Sequence, residues 1–436
     1  MIESNKKIAV VTLGCPKNQV DSEVIAGELV RGGMALVNDI EKADTILINT
    51  CGFIEAAKKE SIEAILKAVE LKKNGGERKI VVCGCLSQRY KGKIEKEIPE
   101  VDAYFGVEPF DEVGRFLLGS SYVWDEKAFG RRILPILSHT AYLKIADGCD
   151  HGCTFCAIPM IKGSYKSRSI DNLIDEAKAL VNRGVKELIL VAQDTTAYGS
   201  DLKDGTDLVS LLKQLVLIDN LHWIRIMYTY PDSVTDELIE VISREEKICK
   251  YLDVPFQHIS DSVLKAMGRR SRKESIERLI TKLRNMVPGI VLRTTFIVGF
   301  PGETDEMFQE LVDFVQRARF ERMGVFVYSP EEGTKAYHMK STVPKKVAEE
   351  RYRILMEIQK EISADINCSL ESKTFPVIVD GYDKSQELFF GRTQGDAPDV
   401  DQTVWIKGKT SIGEIVHVKI EGSSAYDLMG RVLQNP

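Results

Sequence analysis

The chain has 436 residues, enough for two or three domains each with its own core. With 44% hydrophobic and 28% charged residues it falls among ordinary folded proteins, and a net charge of −6 gives no overall pull towards nucleic acid, although it leaves room for a local basic patch. "MIESNKK" runs straight into the strand-like "IAVVTLG", and no apolar run approaches the roughly eighteen residues that cross a bilayer. The expectation is a cytoplasmic protein with no membrane partner, whose nine cysteines serve metal or redox chemistry and not structural disulfides.

Residues 1–123 alternate short apolar runs with amphipathic stretches. "KIAVVTLG", "DTILINT" and "KIVVCG" read as strands. "SEVIAGELVRGG" and "IEAAKKESIEAILKAVELKKNGG" read as helices stopped by glycine. This βαβ pattern predicts an α/β domain built on a doubly wound parallel sheet. Residues 135–366 form a second α/β series, with strands at "AYLKIA", "ELILVAQ", "WIRIMY", "YLDVPF", "IVLRTTFIVGF" and "MGVFVYS". Helical segments such as "SIDNLIDEAKALVNRG" and "DEMFQELVDFVQRARF" separate them, and a long helical stretch follows from Lys345. Six βα units predict a partial (β/α)6 barrel, two units short of the usual eight. In residues 369–436 the pattern changes to the short runs "FPVIVDGYD", "ELFFGR", "TVWIKG" and "EIVHVKIEG", which predict a small antiparallel β-barrel of the oligonucleotide-binding type.

Directly after the first barrel strand, "DGCDHGCTFCAIP" places Cys149, Cys153 and Cys156 at CxxxCxxC spacing. Three close thiolates can ligate three irons of a 4Fe-4S cluster and leave the fourth iron open to a small molecule. The rival is zinc completed by His151, but zinc sites favour two separated pairs, and His151 sits inside the CxxxC segment, where it reads as a solvated turn residue. The bacterial ferredoxin run, with its distant fourth cysteine, also matches poorly. In the first domain Cys15, Cys51 and Cys85 each follow an apolar strand, in "VTLGC", "LINTC" and "VVCGC". A parallel sheet brings all three out at its carboxyl edge, where open α/β sheets build their sites. A lone cysteine there would read as small core filler, but three at equivalent strand ends read as a second site. Cys83 lies within its strand and reads as core; Cys249 and Cys368 read as structural.

CxxxCxxC, with Phe155 before the last cysteine and six βα units around it, resembles the radical-SAM superfamily. The whole chain resembles the methylthiotransferase family: a cysteine-bearing α/β domain, a radical-SAM barrel and a C-terminal TRAM barrel. "GCPKNQVDSE", "NTCGFI", "AIPMIKG" and "VPFQHIS" resemble the subgroup that modifies a ribosomal protein, whereas members acting on tRNA adenosine typically carry "GCQMN" at the first cysteine. "IKG" departs from the more usual arginine-glycine but keeps the positive charge. The resemblance implies two 4Fe-4S clusters, S-adenosylmethionine (SAM) as both methyl donor and radical source, a sulfide source and an external electron donor. It also implies, as substrate, the β-carbon of an aspartate in small-subunit ribosomal protein twelve. The alternatives are a tRNA methylthiotransferase of the same family and, in another class, an iron-sulfur electron carrier.

Further candidates come from position. The resemblance makes Phe155 a contact for the SAM adenine, with core packing as the alternative. Gln193 and Asp194 end the second barrel strand, where barrel sites lie. "VGFPGETDE" is a Gly-rich loop able to lie along SAM or to form a tight turn. Arg293 is a candidate carboxylate partner for SAM or substrate, and His258 reads as structural. The last domain counts ten acids against seven bases from Glu371 onward, with Asp396, Asp399 and Asp401 in "GDAPDVDQ". An acidic barrel suits a basic protein better than RNA, so these three aspartates are expected to dock the substrate.

Overall fold

The computed structural model describes residues 6–75, 77–134 and 139–433. Strands β1 (Lys7–Thr12), β2 (Ala35–Leu36), β3 (Thr45–Thr50), β4 (Lys79–Gly84) and β5 (Ala103–Tyr104) make a parallel sheet in the order β2-β1-β3-β4-β5. The period-two alternation of a strand divides its residues between two covered faces. Leu47, Val81 and Cys83 pack with Val20 and Val24 of helix α1 (Pro16–Arg31). Ile46, Ile48, Ile80 and Val82 pack with Ile65, Ala68 and Val69 of helix α2 (Glu55–Gly75). Helix α1 starts six residues before the expected one, because Pro16 at its first position has the right φ and no N–H to satisfy. Helix α3 (Cys85–Glu97) begins immediately after β4. β1 and β3 are neighbours flanking the topological switch point, so the crevice between their carboxyl ends is the predisposed site.

The six expected barrel strands are β6 (Thr140–Lys144), β9 (Glu187–Val191), β10 (Trp223–Ile226), β11 (Ile248–Asp253), β12 (Val291–Val298) and β13 (Arg322–Val327). They form one open parallel sheet in chain order. Between β6 and β9 lies an unexpected antiparallel hairpin, β7 (Ala146–Asp147) with β8 (Lys166–Ser167), which frames the cysteine loop. Helix Lys345–Cys368 leads to the last domain, a closed barrel of β14 (Thr374–Asp383), β15 (Leu388–Arg392), β16 (Thr403–Lys407), β17 (Ile415–Ser423) and β18 (Asp427–Val432). β18 was not expected, and it closes the barrel by pairing in parallel with β16.

The loop between β15 and β16 plugs the large barrel. Arg392 binds Glu187 (2.9 Å) and Asp380 (2.7 Å), and Arg225 binds Glu187 (2.8 Å) while donating to the Gln394 carbonyl (2.7 Å). Arg322 grips Asp396 at 2.7 Å, and Arg293 lies 3.2 Å from Asp253 and 3.3 Å from Asp401. The Tyr251 hydroxyl donates to Asp401 at 2.8 Å. Asp396 is fully buried and the Asp401 side chain is 2% exposed, so neither docks a substrate. They are internal counter-ions, and only Asp399 of the three remains exposed. The Arg293 guanidinium is held in this plug by two carboxylates.

Removing Asp396 leaves the buried Arg322 guanidinium without its anion. Asp396→Ala should therefore cost about 3–5 kcal/mol in urea unfolding, while Asp399→Asn should stay within about 0.5 kcal/mol. Burial alone would raise the Glu187 and Asp380 carboxyls, but Arg392 with Arg225, and His139 with Arg392, outweigh it and hold both below their ordinary values. Their contribution is therefore fully present above the ordinary carboxylate range, about pH 4, and is lost as pH falls through the folded values. Urea midpoints recorded down to pH 3 should fall less steeply in Glu187→Gln than in the parent chain.

Candidate active site

The first-domain thiols sit where three strand ends meet. Cys15 caps α1 after Gly14, Cys51 follows β3, and Cys85 opens α3 after Gly84. Both glycines have φ +96°, and both are tightly enclosed. A Cβ at Gly14 would stand 2.7 Å from the Cys51 Cβ, and one at Gly84 would stand 2.6 Å from the Thr50 carbonyl. Only glycine allows the cysteine loops this close approach.

One side chain ties the three loops together. The Asn18 amide donates to the carbonyls of Leu13 and Thr50, each at 3.0 Å, and its Oδ1 lies 3.9 Å from the Cys85 Sγ. Ser61 of α2 holds Cys51, accepting from its N–H (3.0 Å) and donating to its carbonyl (2.8 Å). Sequence reasoning missed both residues. The available signal was an asparagine in the first turn of a helix, a position where it must bond locally or weaken the helix. Cys83 points into the core, fully buried, as expected.

The second thiol loop is held from two sides. On one, the Cys149 N–H donates to the Gly163 carbonyl at 3.1 Å. On the other, the Thr154 N–H donates to the Met267 carbonyl at 2.9 Å, and Arg269 Nη1 stands 3.9 Å from the Cys153 Sγ. His151 is not a solvated turn residue. Its Nε2 is 2.6 Å from Asp194 Oδ2 and its ring stacks on Tyr230 at 3.8 Å, with Arg269 4.1 Å from the same ring. The carboxylate contact and the stack fix the orientation of that imidazole. Phe155 packs with Val263, Met267, Phe300 and Ala336. Gln193 donates to Asp147 at 2.8 Å, and its buried Oε1 has no partner among the described residues. "VGFPGETDE" closes on itself, because Glu303 accepts from the N–H groups of Gly299 and Phe300.

The two thiol sites are neighbours. Cys85 shares an apolar cluster with Ala157 and Ile161, which immediately follow the second loop. Beneath them lies a charge network: Lys144 contacts Asp21, Glu108 (3.2 Å) and Asp147 (3.4 Å), and Lys162 contacts Asp147 (2.9 Å) and Asp21 (3.7 Å). Asp147 is held below its ordinary range, since the two lysines outweigh the burial that would raise it. Lys162 is the residue of "IKG", and its charge is put to structural use. Lys17 adds a further tie, donating to the Ala192 carbonyl at 3.3 Å with its ammonium 4.1 Å from the Tyr228 ring centre. A cavity of about 330 Å³ opens beside Cys15, with Gly14, Tyr142, Tyr228 and Asp399 in its walls. Tyr228 (φ +60°) and Asp399 (φ +65°) both hold left-handed backbone, a strain that concentrates at functional sites.

All nine cysteines are free thiols. Burial pushes Cys149 up to about 11, and Cys85 and Cys156 up to about 12. Alone these groups stay protonated and inert at neutral pH; they become thiolates when a bound cation compensates the charge. Among the described residues no three Cys, His, Asp or Glu side chains converge on a single metal-ion position. A 4Fe-4S cluster instead spreads three thiolates over three irons, and the two sets of three thiols are the candidates for that ligation.

Known proteins agree with this architecture. The family model of the radical SAM superfamily matches residues 143–315, that of the uncharacterized protein family UPF0004 matches 7–106, and the TRAM domain matches 373–433. The ribosomal protein uS12 methylthiotransferase RimO of Trichlorobacter lovleyi is 46% identical over 99% of both chains. That of Myxococcus xanthus is 47% identical over 99% of this chain and 92% of its own. Among solved structures, the radical SAM methyltransferase TsrM from Kitasatospora setae covers 74% of both chains with a TM-score of 0.55 at 13% identity, a likeness of fold.

Asn18→Ala removes a side chain that touches all three first-domain loops. It should lower iron and sulfide content by up to the equivalent of one cluster while leaving the second loop loaded, as read by metal analysis of anaerobically purified protein. Cys83→Ala should keep both loadings and cost about 1 kcal/mol of packing in urea unfolding.

Proposed function

The chain belongs to the RimO family of ribosomal protein uS12 methylthiotransferases, and from that premise we propose how its own residues divide the work. Cys149, Cys153 and Cys156 hold one 4Fe-4S cluster, and Cys15, Cys51 and Cys85 hold the other. The observation that carries this assignment is the shared cluster of Cys85 with Ala157 and Ile161, which sets the two thiol sites side by side. Bound there, the clusters would supply reductive cleavage of SAM, with the electron from an external donor, and the sulfur for methylthiolation. The substrate is an aspartate β-carbon of ribosomal protein uS12.

The protein's task is placement. Asn18 and Ser61 fix the sulfur-side loops, and Arg269 braces Cys153. Phe155, on the barrel loop, and Gln193, whose free Oε1 is buried beside Asp147, are assigned to SAM. Asp399, exposed in the cavity wall beside Cys15, is assigned to the basic substrate, so that the small barrel contributes one docking carboxylate where three were expected. An external one-electron donor and a sulfide source complete the reaction. None of the described helices is long and apolar enough to cross a membrane, and we place the protein in the cytoplasm with its ribosomal substrate.

Mass spectrometry of uS12 and of tRNA from cells lacking this protein tests the substrate. The expected result is loss of the methylthio mass from uS12 with tRNA unchanged, and the reverse result sinks the assignment. Asp399→Asn keeps a residue tolerant of left-handed backbone but removes the charge. It should raise KM for uS12 while leaving SAM cleavage in the absence of uS12 intact.

A further inference from the structure

The second thiol loop has two flanks with different surroundings. Residues 157–161 pack on the first domain beside Cys85. Residues 152–154 face the protein surface and are held there by backbone contacts to two other segments. Thr154 bonds the Ala266 carbonyl through its hydroxyl (2.8 Å), the Met267 carbonyl through its N–H (2.9 Å) and the Ala336 N–H through its carbonyl (2.9 Å). Gly268 lies so close that a Cβ there would stand 2.6 Å from the Gly152 carbonyl. Gly152 itself is exposed and has nothing within 4 Å of a Cβ position.

The first of these flanking segments is basic. "KAMGRRSRK", residues 265–273, holds five cations and no acid, in a chain whose net charge is −6. Arg269 is spent on Cys153 and Tyr230, Arg272 on the backbone carbonyls of its own turn, and Lys273 on Glu310. Lys265 and Arg270 are exposed and form no ion pair among the described residues, and the same holds for Lys335, one residue from the Ala336 contact. Two large apolar side chains, Met160 (47% exposed) and Tyr337 (48% exposed), border the same patch. The exposed acids beside it are Asp150, which accepts from the Tyr165 N–H, Asp232, which accepts from the Ser271 hydroxyl, Asp261, which accepts from the Lys273 N–H, and Glu332.

Resting on the cluster assignment proposed above, we infer that this patch is the docking surface for an acidic, low-potential electron-transfer protein. Electron transfer falls off steeply with distance, so a donor must sit against the exposed edge of the loop that holds the cluster. The opposite flank is filled by the first domain, which leaves residues 152–154 as the approach. Unpaired cations beside exposed apolar side chains are what an acidic partner requires for fast, salt-sensitive encounter. Each encounter passes one electron: the donor is oxidised by one, and the cluster is reduced by one.

The test uses cluster-loaded protein and purified flavodoxin as the acidic donor. Three readouts are compared in wild type and in the Lys265→Glu/Arg270→Glu/Lys335→Glu variant: flavodoxin affinity by calorimetry, hydrogen-exchange protection on binding, and 5′-deoxyadenosine formation driven by reduced flavodoxin or by dithionite. Wild type should bind flavodoxin with protection at 265–270 and 333–337. Its affinity should fall at least tenfold between about 20 and about 300 mM salt, as the screening length shrinks from roughly 20 Å to roughly 6 Å. Charge reversal should cut flavodoxin binding and flavodoxin-driven turnover at least tenfold at low salt and leave the dithionite reaction unchanged. Unchanged flavodoxin binding, or protection elsewhere, overturns the inference. So does a charge-reversed variant that keeps flavodoxin-driven turnover. Should reversal also slow the dithionite reaction, the Lys265→Gln/Arg270→Gln/Lys335→Gln variant decides, since retained salt dependence with flavodoxin overturns the docking surface. Failure of the cluster assignment itself shows separately, as wild type making no 5′-deoxyadenosine with dithionite.

Discussion

Four buried charges set the two halves of the site against each other. Asp21 comes from α1 of the first domain, Lys144 from the first barrel strand, Asp147 from the hairpin before the second thiol loop, and Lys162 from the turn after it. The quartet is neutral as a whole, and each member is at most 7% exposed. A buried ion group of this kind contributes little net stability, because desolvation offsets most of the Coulomb gain. Its effect is on alternatives. Any relative shift of the first domain and the barrel strands one member with no counter-ion in a dry interface, at a cost of several kcal/mol. Chemistry that passes an atom between two cofactors depends on a fixed gap, and apolar packing of Cys85 on Ala157 and Ile161 tolerates sliding that the quartet does not.

The same device recurs at the other end of the barrel. A partial barrel of six strands leaves its interior open, and here Arg225, Arg293 and Arg322 line that opening. The small barrel answers them with Asp396, Asp401 and the backbone carbonyl of Gln394. Three of the ten acids of the small barrel, Asp380, Asp396 and Asp401, are therefore consumed inside the molecule. What its loop offers outward is Asp399 and Val400, carried by the plug to the wall of the Cys15 cavity. A domain of the oligonucleotide-binding type is used here as a closure that also presents one substrate-facing carboxylate.

How much of this was legible follows from distance along the chain. CxxxCxxC is legible because a loop carrying three ligands must be short, and Cys15, Cys51 and Cys85 are legible because parallel strands end on one edge. The six barrel strands are legible because each carries its own periodicity. Asp396 and Asp401 were misread because composition counts a charge without its partner: Arg322 is 74 residues from Asp396. β18 was missed because "DLMGRV" is short, interrupted by Gly430, and owes its place to a parallel pairing with β16 that only the closed barrel provides. Asn18 and Ser61 were missed because their role lies in backbone carbonyls and N–H groups that no side-chain pattern reports.

The arrangement of the second thiol loop explains why a three-cysteine loop is built with two distinct flanks. Sulfur and substrate must reach it through the first domain, where Cys85 and the quartet demand a dry, fixed contact. Electrons must reach it from a protein that leaves again after each transfer, which demands a solvated and salt-sensitive surface. One face cannot meet both demands, since a dry fixed interface releases nothing and an exposed one admits water to a reactive site. The chain separates them within a few residues: Ala157 and Ile161 turn inward to Cys85, while Gly152 stays open next to Gly268 of the basic run. Arg269 stands at the boundary, its guanidinium against Cys153 and Tyr230 and its backbone in the basic run. The positive charge that draws a partner to the surface thus continues inward to the sulfur it is meant to serve.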